Sequence, residues 1–242
     1  MARTQRAITL NRGIKMKKQL VVVSLMAAIA SPIAANAFGL SSLTDAVTGK
    51  QADAGTPSAA QGVDPSVAQD QLVQAYVAAD KNVLQSQVQM AAALGLKDES
   101  AKAQAAADAL SSGATKGGLE DTQTTQSDVA KAITAKFQDK DAPALSDEAK
   151  KQFISGMAYL AKGAIGYGLL KDNVSTFKNS MSALSPVALG MASTKLGAGL
   201  YVAKTVPTNA KNVYDALNGA VSFAKERGIP VPSDVASATS AI

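Results

Sequence analysis

The chain has 242 residues, a nominal charge of +5, and no His, Cys or Trp. Without imidazole or thiol it lacks the commonest general base, the cysteine nucleophile, ordinary zinc ligands and any disulfide staple. These absences favour a non-enzymatic protein with no cofactor and no metal.

Met16-Lys17-Lys18 opens a stretch that reads as a secretory signal: two lysines, an apolar core from Leu20 to Ile29, and a small-residue cleavage site at Ala35-Asn36-Ala37. The apolar core is shorter than the roughly 20 residues a membrane span needs. Residues 1–37 are therefore expected to be a signal peptide cut after Ala37, with Ala35 and Ala37 as its recognition positions and Met16 as an alternative start. A mature chain from Phe38 has no lipid-attachment cysteine, so the expectation is a periplasmic or secreted protein rather than a lipoprotein. It would carry 18 basic and 19 acidic residues, net −1. The high pI then belongs to the leader, and nucleic acid is excluded as a partner.

Residues 38–63 read as a linker. Phe38, Leu40 and Leu43 suit a short amphipathic turn, and Gly49 to Gly62 is rich in Gly, Ala, Ser and Gln. A helical domain is expected over 64–232. Asp64-Pro65 starts its first helix, with Val73, Val77, Leu84, Val88 and Ala91 on one face and an end near Gly95. An alanine-rich second helix runs from Asp98-Glu99 to Ser112. Gly117-Gly118 predicts a flexible joint. Ser127 caps a third helix anchored by Val129, Ile133 and Phe137, and Asp139 to Pro143 forms a turn.

The stretch Ser146 to Thr205 organises the rest. It predicts two apolar helices, Asp147 to about Leu170 and Pro186 to about Thr205, joined by a shorter amphipathic one. Phe153, Ile154, Met157, Leu160, Ile165 and Leu169 cover most of the first, leaving a narrow polar stripe of Lys151, Ser155 and Lys162. Such a helix is normally buried or in lipid. Leu189, Leu196 and Leu200 share a face of the second. Gly156 and Gly163 are seven apart on one helix, and Gly190 and Gly197 on the other. The matched spacing suggests close helix–helix approach, as small residues allow in membrane helix pairs. Pro207-Thr208 starts the last helix, with Val213, Leu217, Val221 and Ala224 inward. Gly228 suits a left-handed end, Pro230 and Pro232 prevent continuation, and residues 233–242 read as a loose tail. No strand alternation or fixed-period repeat is present. The fold class expected is all-α: an antiparallel bundle of about six helices around a central apolar helical hairpin.

Chemistry-bearing motifs are few. Ser175-Thr176-Phe177-Lys178 resembles the Ser-x-x-Lys motif of the penicillin-interacting serine enzymes, especially class D β-lactamases. That resemblance implies Ser175 as nucleophile and Lys178 as its activator. It covers four residues. The family's later elements do not follow: Ser185-Pro186-Val187 comes too early, and Lys204-Thr205-Val206 lacks the glycine. The competing reading puts Ser175 and Lys178 in solvent and Phe177 in the core beside Val174 and Met181. The acidic pairs Asp98-Glu99 and Asp147-Glu148 sit in helix first turns, where the dipole accounts for them. Asp139 and Asp141 lack the rest of a calcium loop. Tyr159, Tyr167, Tyr201 and Tyr214 read as core or boundary residues.

Charge is asymmetric. Residues 38–149 are net −7 and residues 150–242 net +6. Either the halves neutralise each other, or Lys162, Lys171, Lys178, Lys195 and Lys204 meet an anionic membrane surface. The expected function is that of an exported, non-enzymatic helical protein of the bacterial cell envelope, with a structural or interaction role toward a protein partner. The alternatives are a membrane-active protein inserting an apolar hairpin (about 153–203) and a periplasmic holdase-like chaperone. Lys162 and Lys195 in mid-segment oppose insertion.

Overall fold

A computed structural model describes residues 63–111 and 113–240, which form seven helices and no strand. The predicted signal peptide, including Ala35 and Ala37, lies outside the described residues, as does the linker up to residue 62. The helices are α1 (Pro65–Ala93), α2 (Lys97–Ala109), α3 (Lys116–Gln138), α4 (Asp147–Ser182), α5 (Pro186–Lys195), α6 (Gly197–Glu226) and α7 (Ser233–Ser240).

α1 and α4 make the most extensive pairing in the molecule. Asp64 caps α1 by accepting from the Ser66 N–H, and Ser146 caps α4 by accepting from Ala149. Leu72, Val73, Tyr76, Val77, Val83, Leu84 and Met90 of α1 are buried in one core with Phe153, Met157, Leu160, Ala164 and Tyr167 of α4. Gly156 lies against Ser86 and Met90, and Gly163 and Gly166 against Ala79 and Val83, so the two helices run in opposite directions. α6 completes the core. Its Phe223 meets Phe153 and Phe137, and at its other end Gly199 lies against Phe177. Positive φ occurs at Gly95 and at Gly228, the position where the sequence predicts a left-handed helix end.

The structure differs from the sequence expectations at several elements. The third helix begins at Lys116 rather than near Ser127, so Gly117 and Gly118 belong to its first turn and not to a joint. Thr115 caps that turn through the Gly118 N–H at 3.3 Å, and buried Leu119 anchors it. The predicted connecting helix is the C-terminal part of α4. No Gly or Pro interrupts 169–182, and Leu170, Val174, Phe177 and Met181 continue the inward stripe. The second apolar helix is broken at Leu196, and α6 runs through Pro207. Burial of Val202, Val206, Asn209 and Val213 on both sides offsets the roughly 3 kcal/mol that an interior proline costs. With the break there, Leu196 is buried while Leu189 and Leu200 are exposed, so the three share no face. Residues 233–240, expected to belong to a loose tail, form a helix. α7 buries Val235 and Ala238, and the Tyr214 hydroxyl donates to the Thr239 carbonyl at 2.8 Å.

Candidate functional site

The four glycines do not meet one another. A Cβ on Gly156 would lie 2.6 Å from Met90 Cγ, and one on Gly163 2.7 Å from Val83 Cγ2, so both serve the α1–α4 seam. Gly190 and Gly197 have nothing within 4 Å. The partner of the long apolar helix is α1, more than 50 residues upstream. Helical spacing within one segment says nothing about which distant segment supplies the opposing face.

What the second glycine pair marks is an unburied helix. α5 has no buried residue and packs principally on α6. Half-buried Ala188 and Ala192 turn inward, and such small side chains make a shallow contact. Val187 and Met191, one turn apart, are each 76% exposed; Leu189 and, across the break, Leu200 are each 40% exposed. Gln69 of α1 holds the corner between α5 and α6. Its Oε1 accepts from the Gly199 N–H at 3.0 Å, and its Nε2 donates to the Lys195 carbonyl at 3.4 Å. One side chain thus satisfies an orphan donor of α6 and an orphan acceptor of α5. The break that frees α5 is built into the fold.

The five lysines named from sequence make no ion pair among the described residues. All are exposed. Lys162 lies 5.4 Å from the Tyr159 ring centre, near the middle of α4. It stands about 24 Å along the helix from Lys178, at 1.5 Å per residue. The Phe177–Gly199 contact puts Lys178 at the level of the corner, where Lys195 ends α5 and Lys204 follows in the second turn of α6. Lys178 and Lys195 thus belong to the corner region, Lys204 follows one turn after Leu200, and Lys171 and Lys162 lie progressively farther along α4. Ser175 is exposed and donates to the Lys171 carbonyl at 2.9 Å, while Val174, Phe177 and Met181 are buried.

A second constellation carries no motif in the sequence. Asp80 is buried, and its Oδ1 accepts from Tyr167 and Gln126, both at 2.8 Å. Gln87 donates to the Gln126 carbonyl at 2.8 Å. Gln123, Tyr76 and Asn209 extend the network, with Asn209 Nδ2 donating to Gln123 Oε1 at 2.6 Å. Side chains of α1, α3, α4 and α6 are joined there. A cleft of about 380 Å³ lies alongside, lined in part by Gln87, Gln123, Asn209 and Asn212. Gln87 Oε1 is the one buried side-chain oxygen without a partner among the described residues. The signal was available: Asp80 falls three residues after Val77 and four before Leu84, on the inward stripe.

Burial pushes the Asp80 carboxyl above the ordinary carboxylate range, partly offset by its two donors, and holds the Tyr76 and Tyr167 phenols neutral. A carboxyl raised on folding binds its proton more tightly in the folded state. Its contribution is fully present below the unfolded value of about 4 and is lost as pH rises through the folded value. Asp80→Asn keeps the Oδ1 acceptor and cannot ionise. Urea unfolding should show the variant gaining on the wild type as pH rises through that window, and at least as stable at neutral pH. A gap that does not change with pH would contradict this.

No protein-family model, curated protein or solved structure matches the chain.

Proposed function

We propose that this is an exported, non-enzymatic protein of the bacterial cell envelope, an antiparallel helical bundle that acts by contact with a partner through α5. The observation that carries the reading is that α5 has no buried residue although it is apolar. A soluble domain gains about 25 cal/mol for each Å² of apolar surface it buries. This one keeps Val187 and Met191 outside, at a corner that Gln69 fixes. The polar network and the α1–α4 seam account for the remaining conspicuous residues as parts of a rigid frame. α4 is apolar enough by length and composition to cross a membrane. Half of that apolar window is buried in the fold and packed on α1, so inserting the 153–203 hairpin would strip the core.

The test is Val187→Ser combined with Met191→Ser in an exporting bacterium. Both side chains are exposed, so stability should change by no more than about 0.5 kcal/mol for each. Retention of the protein in the envelope fraction should fall. Unchanged retention would contradict the role of α5. Recovery of chains that still carry residues 1–37 and remain in the cytoplasm, read by intact mass, would contradict export.

A further inference from the structure

We infer that the partner of α5 is an anionic lipid surface, with α5 lying in the headgroup plane and the first turns of α6 beside it. This rests on the reading of α5 as the contact element. Ten residues make a helix of about 15 Å, half the roughly 30 Å of a bilayer's hydrocarbon core, so α5 can lie in a membrane interface but cannot cross it. Its outer side offers Val187 and Met191, flanked by Leu189, and Leu200 follows beyond the corner. An interfacial helix buries such residues in the boundary between headgroups and acyl chains.

The chain segment that carries this apolar surface has charge of one sign. Between Asp172 and Asp215 the chain has no acidic residue and four lysines: Lys178, Lys195, Lys204 and Lys211. Lys211 pairs with Asp215, and the other three make no ion pair among the described residues. Lys195 stands four residues after Met191 on α5 and Lys204 four after Leu200 on α6, so each shares a helix face with an exposed apolar residue. Asp64, the N-cap of α1, and Asp70, next to Gln69 in the chain, are the carboxylates of the helix that holds the corner, and neither pairs with these lysines. The composition favours lipid over a protein surface. Energetic anchors of protein interfaces are enriched in Trp, Tyr and Arg, and α5 has none. Lysines on long flexible stems suit a fluid array of phosphates, which needs no fixed geometry.

The probe is a flotation assay with the processed protein recovered from an exporting bacterium. Vesicles of phosphatidylglycerol and phosphatidylethanolamine are compared with vesicles of phosphatidylcholine. The protein should float with the anionic vesicles, weakly with the neutral ones, and less as salt is raised. Lys178→Gln, Lys195→Gln and Lys204→Gln together should weaken anionic binding on the order of 100-fold. Lys225→Gln, at the far end of α6, should not. Val187→Ser with Met191→Ser should abolish flotation while circular dichroism stays unchanged and the unfolding midpoint moves only slightly. Equal binding to neutral vesicles, or a triple lysine variant that floats like the wild type, would overturn the anionic assignment. Absence of flotation, with envelope retention still lost in the α5 double variant, would overturn lipid as the partner and leave the contact role of α5 standing, with a protein as its target.

Discussion

Phe153→Ala is expected to remove about 3–5 kcal/mol of stability. Phe153 is fully buried at the point where α3, α4 and α6 meet. Its ring centre lies 5.8 Å from that of Phe137 and 5.2 Å from that of Phe223, which themselves stack at 4.7 Å. Truncation loses the transfer energy of the ring and leaves a cavity. Rings held by three separate helices cannot all close on it. Domains are typically stable by only about 5–15 kcal/mol, so the variant should unfold at a much lower urea concentration, with a similar slope if the native state stays compact. Phe137→Ala should cost less, because Phe137 is only half-buried. A loss below about 1 kcal/mol for Phe153→Ala would contradict the three-helix junction.

Gly163→Val should be nearly as damaging, at about 3 kcal/mol from overpacking. A Cβ at this position would sit 2.7 Å from Val83 Cγ2 and 3.3 Å from the Val83 backbone nitrogen. Valine is stiff at χ1, and the backbone cannot retreat without opening the α1–α4 seam. Even alanine should lose on balance, since overpacking of about 1–3 kcal/mol exceeds the gain of about 1 kcal/mol from better helix propensity. Gly168 supplies the control on the same helix. It is exposed with nothing within 4 Å, so Gly168→Ala should stabilise by up to about 1 kcal/mol. Gly190→Ala on α5 should do the same. The measurement is the sign of each change in chemical unfolding. Gly163→Ala and Gly168→Ala moving in the same direction would contradict the seam.

Much of the fold was legible because local signals agreed with the tertiary structure. Asp64-Pro65, Ser146 and Ser185-Pro186 each start a helix, since an acceptor side chain followed by helix-compatible backbone acts within one turn. The inward residues of α1 and of the second half of α6 were readable for the same reason: period 3.6 is a local property. The errors fell where distant contacts overrode local preference. Gly117-Gly118 looked like a joint, but Leu119 and Thr122 are buried and hold that turn helical. Pro207 looked like a start, yet the core grips α6 on both sides of it. The break fell at Leu196 instead, where no proline marks it, because Gln69, 126 residues before Lys195, satisfies both helix ends.

The candidate site was legible in composition but not in arrangement. The lysines and the apolar character of 186–200 are plain in sequence. That α5 would be left unburied is not, because a mean hydropathy does not reveal which apolar helix the core has room for. α1 takes the place beside α4 that the sequence assigned to the second half of a hairpin. The Asp80 network leaves no pattern in the sequence because its members, spread over four helices, are individually ordinary polar residues.

The central claim is that α5 is held outside the core in order to lie on an anionic surface. Because the chain contains no cysteine, Met191→Cys provides a single attachment point for a polarity-sensitive dye. A label at Ser222→Cys, exposed near the opposite end of α6, serves as reference. On adding phosphatidylglycerol vesicles, emission from the Met191 position should shift to the blue and become protected from aqueous quenchers, while the Ser222 position stays unchanged. A Met191 label that remains as wet as the Ser222 label would contradict the account.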